Sequence, residues 1–416
     1  MKISGGALYF AIVIALIIAI ICSSLISFAH YNRLVQLKYE RQQRLRTNAF
    51  SGILIALNQG IEQTEKIEKI DLYNDGMDSI CIIRKSWGIY RMALLQSHIK
   101  KDTLKKAFLL GQDTREDKDA VYLADEDRPL NISGEARIIG NTRLPKSGIR
   151  QSYVEGRSYT GRQLVLGEIK NSERLLSPLS QIHIASIEAF FSQNAQHETT
   201  EMPKKIQRSF WQEPLRIWIK PETNLSGSIL EGNVILFSDT TVNVPADAQL
   251  KNLQIYAKEI RIANGFKGNL QLFARDSIVL ADKVHLNYPS SLVVLSDTVT
   301  GANVQQRIVI GKDSSVKGVI IGYQSKRTPL QILVTLGNNT IVEGEIYVSG
   351  ALQLSKGVKV LGKVSCYKFF TKTQQSNYEN YLVDATLDRE GRSPFYLSPG
   401  ILHNIPKKQK VLKWLN

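Results

Sequence analysis

Residues 7–29 form an unbroken apolar run in which no Asp, Glu, Lys or Arg appears. The pattern predicts a helix that is apolar on every face and reaches about 34 Å, enough to cross a bilayer core of about 30 Å. Beyond it the apolar positions thin to a helix-period stripe set among basic residues: Leu34, Leu37, Tyr39, Leu45, Ala49, Ile53, Ala56 and Leu57. No proline interrupts this stretch, so one long helix is expected to continue past the span. Residues 59–70 are expected to end it, and a turn signal follows at 74–76. Two strands within 79–99 reverse at or near Gly88, and short strands are expected at 106–111 and 120–124. The segment 30–130 therefore reads as a helix plus a small α+β module.

Residues 131–221 read as a mixed connecting region. Its first part, 130–148, has the short-strand, glycine-corner rhythm of a β-solenoid turn; a helix is expected at 177–191, and strand character returns at 208–220. The clearest repetition lies in 222–368. Phe237, Tyr256, Phe273 and Leu295 take equivalent places in four short alternating strands, roughly 20 residues apart. Further on, Gly318, Gly344 and Gly362 each sit at the centre of an aliphatic–x–Gly–x–aliphatic core, where glycine permits a corner between strands. Periods near 20 with inward Ile, Leu and Val predict a parallel β-helix, in which no coil buries its face alone. Residues 369–416 are expected to cap this solenoid, with a hairpin around 390–391 and a basic amphipathic tail at 406–416.

Two resemblances accompany these patterns. Ser4, Gly5 and Gly6 precede the apolar run, and the segment 49–57 follows it in the continuing helix. This layout resembles the N-terminus of type IV minor pilins and pseudopilins over about the first 60 residues. The resemblance implies a short leader, 1–6, cleaved between Gly6 and Ala7, a transmembrane helix at 7–29, a pilin-like head, and other pilin-like or envelope assembly proteins as partners. Major pilins carry Glu at the fifth mature position; counted from Ala7, this chain has Ala11 there, which points to an accessory or tip-type subunit. The coils around Gly318, Gly344 and Gly362 resemble those of polymer-forming, bactofilin-like solenoids. The fold class expected overall is a membrane-anchored α+β chain: transmembrane helix, long helix, small α+β module and C-terminal parallel β-helix.

Charge complicates the topology. Arg33, Lys38, Arg41, Arg44 and Arg46 face Glu40 alone just after the span, and positive residues beside a span favour the cytoplasmic side. The pilin reading requires the opposite, a single-pass inner-membrane protein with its bulk periplasmic or extracellular. A cleaved secretory signal is a further alternative, with Ser23, Ser24 and Ser27 near its cleavage site, although the apolar core is longer than such signals carry. The net charge of +15 over 416 residues suits anionic lipid or an acidic polysaccharide. No nucleic-acid motif concentrates that charge, so nucleic acid is not an expected partner.

Candidate chemistry is sparse. Cys22, Cys81 and Cys366 show no metal-ligand spacing, and two distant cysteines leave open whether Cys81 and Cys366 pair. The acidic stretch 113–127 lacks the glycine of an EF-hand loop and reads as a solvated loop. No metal and no cofactor are expected. Stacking the repeats places Asp239, Lys258, Arg275 and Asp297 in one surface column, with Glu259 and Asp276 beside it. Such a column suits a polysaccharide-cleaving groove, and it equally suits alternating charges that stabilise a sheet face. No carboxylate pair stands apart for acid–base work, so catalysis is not expected. The leading expectation is a structural or adhesive envelope protein of a pilus or pseudopilus. A membrane-anchored polymer-forming scaffold is the alternative, and a carbohydrate-active β-helix enzyme the third reading.

Overall fold

The computed structural model describes residues 5–58, 67–74, 76–192, 203–221, 223–296, 304–373, 376–403 and 407–415. Most of the expected leader, the expected helix end at 59–66 and Asp297 lie outside these residues. The chain divides into two compact units: Met1–Gln59, Lys66–Ile83 and Leu94–Lys106 form one, and Gly60–Glu65, Arg84–Ala93 and Ala107–Asn416 the other.

In the first unit, helix α1 runs unbroken over Gly5–Asn58, about 80 Å at the α-helical rise. Its N-terminal half is long and apolar enough to cross a membrane, and its apolar stretch is unburied. Its C-terminal part buries one stripe, Leu45, Asn48, Ala49, Gly52 and Ala56, positions that fall three or four residues apart on one helix face. Gly52 is needed there because a Cβ would lie 2.4 Å from Leu95 Cδ1 and 2.9 Å from Ile80 Cγ2. Beside it, Arg44 Nε and Asn48 Nδ2 donate to Asp78 Oδ2 at 2.6 and 2.7 Å. Leu34, Leu37 and Tyr39 of the expected stripe are exposed instead. Ile67–Ile70 pairs antiparallel with residues 80–83 of the strand Asp78–Trp87, and the strands Tyr90–Ile99 and Asp102–Gln112 follow along the chain. Gly88, at a φ of 59°, makes the expected reversal.

The second unit is dominated by a closed sheet of parallel strands wound in stacked coils. One register ladder runs through it: Ile217, Leu236, Ile255, Leu272, Leu292, Ile320, Ile346, Val364, Val121, Thr142 and Ile169, each paired with the next. All but the last are buried, and those from Ile217 to Val121 belong to one apolar core. Each inward Leu or Ile contributes about 1.5–3 kcal/mol by leaving water. The residue after each points outward, giving a second column: Trp218, Phe237, Tyr256, Phe273, Val293, Ile321, Tyr347, Ser365, Tyr122, Arg143 and Lys170.

The coils do not follow chain order. The coil at 364–366 is continued by 121–123, then by 142–143 and 169–171, all earlier in the sequence. Strands within 119–171, expected to fall in the small module and the connecting region, thus extend the same sheet as 229–372. The strands Tyr381–Val383 and Thr386–Asp388 also join coils in parallel, so the expected hairpin around 390–391 does not form. In the basic tail, Gln409–Leu415 is a strand paired antiparallel with residues 107–112. Register corrects one repeat: Val293, not Leu295, follows Phe273. All three cysteines are free, so Cys81 and Cys366 are unpaired.

Candidate functional site

The residues singled out by sequence do not converge. Gly6 and Ala7, the expected processing site, lie exposed in the first turn of α1, and nothing stands within 4 Å of a Cβ built on Gly6. In the expected charge column, Asp239 is exposed, while Lys258 Nζ lies 3.8 Å from Asp276 Oδ2. The Arg275 guanidinium sits 4.3 Å from the ring centre of Phe191. Glu259 accepts from Arg261 Nε at 3.1 Å and from Thr241 at 3.2 Å. These are short-range pairs on a solvated sheet, each worth at most about 1 kcal/mol. Asp297 lies outside the described residues. Among the described residues, no group of three or more His, Cys, Asp or Glu could hold a metal.

The outer column is an aromatic stack at one end. Tyr256 and Phe273 stack at 4.5 Å, Phe237 joins at 5.4 Å, and helix α2, Gln181–Ser192, lays Phe190 and Phe191 onto Tyr256. Arg216 and Arg275 sit over those two phenylalanines, at 5.6 and 4.3 Å. Each ring pair adds about 0.5–1.5 kcal/mol beyond burial. The repeat of Phe237, Tyr256 and Phe273 announced this column, but its cover by α2 had no signal in sequence.

Midway along the same face lies a buried polar cluster that sequence reasoning missed. Glu345 Oε1 accepts from Arg392 at 3.0 Å, and both residues are buried. Ser398 Oγ donates to Glu345 Oε2 at 2.7 Å, which leaves His403 Nε2 to donate to Ser398 Oγ at 2.8 Å. Arg389 and Arg392 also donate to the Thr114 carbonyl, at 2.7 and 3.4 Å. Burial works against ionisation of Asp117, yet Lys363 Nζ at 2.9 Å holds its carboxyl below the ordinary value. Burial pushes the Tyr90, Tyr288 and Tyr396 hydroxyls up, so all three stay protonated. Ser, His and Glu meet here in the wrong order for a nucleophile. A catalytic serine needs histidine between it and the acid, whereas Ser398 stands between Glu345 and His403 and is wholly buried. The cluster instead ties the segment 389–403 and the loop at Thr114 to the coil carrying Glu345. Its members are scattered over nearly 300 residues of chain, so no local motif could have signalled it.

The chain matches no protein-family model and no curated protein sequence. One solved structure, the competence-associated pilin ComZ from Thermus thermophilus, is similar over 84% of this chain and 86% of its own, at 11% identity and a TM-score of 0.22. That TM-score is too low for the likeness to bear on fold or function.

Proposed function

We propose that the chain is a structural envelope protein, anchored in the inner membrane by α1, that presents a parallel β-helix as an accessory or tip-type component of a type IV pilus or pseudopilus. The observation that carries this reading is the N-terminal half of α1: an uncharged helical segment whose Leu8, Phe10, Ile14, Leu16, Ile20 and Leu25 are all more than half exposed. Water does not tolerate such a segment, and a bilayer does. The prepilin-like leader and Ala11 direct it to the accessory class. The stacked coils supply a rigid body for contact with other envelope proteins, and the buried Glu345–Arg392 pair suits a structural rather than a catalytic role.

The N-terminal mass of the mature protein from native membranes tests the proposal. A chain beginning at Ala7 supports leader processing and an exported body. A chain beginning at Met1 removes the pilin reading and favours the second one, a membrane-anchored scaffold with a cytoplasmic body. The specific observation behind that second reading is the run of Arg33, Lys38, Arg41, Arg44 and Arg46 next to the apolar segment. A chain beginning after Ser24 or Ala29 means a cleaved signal and excludes a retained anchor.

A further inference from the structure

The two ends of the coil stack differ. At the first coil the inward residues are covered: Ile217 is 3% exposed and Ile206 is 9% exposed. At the last, the core ladder ends on Ile169, which is 51% exposed, and Leu166 beside it is 50% exposed. Among the described residues, Ile169–Asn171 pairs, in parallel, with residues 142–144 on one side only.

The direction of each hydrogen bond identifies the open groups. Leu166 N donates to Ile138 O, Gly140 N donates to Leu166 O, Thr142 N to Glu168 O, and Ser172 N to Leu144 O. Even-numbered residues therefore turn their backbone groups towards the neighbouring coil. In an extended strand the odd-numbered ones, Gly167, Ile169 and Asn171, turn theirs to the open side. An unpaired edge of this kind, ending a stack of paired ones, accepts a further strand.

Charge selects the occupant. Between 130 and 175 there are eight Lys and Arg against four Glu and no Asp. The outward column ends on Arg143 and Lys170, which are register neighbours. Arg143 and Lys170 lean on Asp119 and Glu168, at 3.0 and 2.9 Å, both with their cationic groups about half exposed. Arg150 and Arg162 are exposed and make no ion pair among the described residues. A second copy fits poorly. Head to tail, it would have to offer the first coil, whose core residues are already covered. End to end, it would set one basic coil against another.

We infer that the open edge at Ile169–Asn171 is a docking site for an extended segment of another protein that alternates apolar and acidic residues. The apolar residues continue the buried ladder over Ile169. The carboxylates continue the outward column beside Lys170 and Arg143. Backbone pairing supplies affinity, and the alternation supplies specificity.

The test uses the full-length chain in detergent and two fluorescently labelled synthetic peptides, one alternating valine with glutamate and one alternating valine with lysine. Fluorescence anisotropy is expected to show binding of the glutamate peptide only, weakening as salt is raised. Ile169→Pro deletes the open-side N–H without touching a bond to residues 142–144, and is expected to weaken binding about tenfold. Lys170→Glu, which spares the backbone, is expected to shift preference towards the lysine peptide even if the proline variant fails to fold. Absence of wild-type binding, equal binding of both peptides, or unchanged binding by Lys170→Glu overturns the inference. So does a dimer, seen by light scattering, that competes with the peptide.

Discussion

Gly344 shows how narrowly single residues constrain the coils. Its φ is 147°, and a Cβ there would lie 1.8 Å from the carbonyl oxygen of Gly318, its partner in the coil below. Gly344→Ala cannot relieve that contact by moving a side chain, because the obstacle is backbone. A loss of about 3 kcal/mol or more is expected, read as a lowered urea midpoint. His183 makes a different prediction. Burial, helped by the charge of Arg91, lowers its pKa from 6.5 to about 4, and Ser180 Oγ holds its Nδ1 at 3.0 Å. The folded state thus takes up this proton less readily than the unfolded chain. The stability that neutral His183 permits is complete above about pH 6.5 and is lost as pH falls towards 4. Between pH 7 and pH 5 the loss is about 2 kcal/mol. His183→Gln should remove most of that slope in urea titrations at the two pH values. Burial also lowers the pKa of His403, so any remaining slope has the same sign.

Among elements, α1 carries two different surfaces on one unbroken helix. The C-terminal stripe from Leu45 to Ala56 packs on Ile80 and Leu95, whereas the N-terminal half has no partner among the described residues. If that half lies in a bilayer, Ile17→Arg puts a charge near its centre at a cost of about 2.5–3.5 kcal/mol on insertion scales. The variant is then expected to move from the membrane pellet to the supernatant after alkaline extraction, while Ile53→Arg, on the other half, leaves fractionation unchanged. Helix α2 contrasts with α1: it is short, and its placement depends on Phe190 and Phe191 meeting the Tyr256 stack.

For the whole second unit, the decisive feature is the order of the coils. Residues 121–123 pair with 364–366, and 137–139 with 386–388, so early segments of the chain are completed by late ones. Such non-local pairing makes the far end of the stack dependent on the C-terminal third. Removing residues after Ser376 deletes the partner strands at 381–383 and 386–388, together with Arg389, Arg392, Ser398 and His403 of the polar cluster. Limited proteolysis of the truncated chain is expected to cut first within 130–171, while 229–336 stays protected. Cutting first within 229–336 would contradict this order.

What the sequence alone determined is local and periodic. The uncharged run at 7–29, the helix continuing to 58, the reversal at Gly88, and the repeat of Phe237, Tyr256 and Phe273 were legible because each rests on short-range spacing. The corner glycines were legible too, since only glycine fits where backbones approach closely. Tertiary structure alone decided which strands meet. No periodicity in 119–171 says that these strands stack on 359–388, because a parallel pair can join segments at any separation in the chain. The repeat alignment depended on the same thing: that Val293 rather than Leu295 follows Phe273 rests on pairing that spacing cannot express. Glu345, Arg392, Ser398 and His403 became a buried cluster only when the coils closed, and Ile169 became an open end because, among the described residues, no later strand covers it.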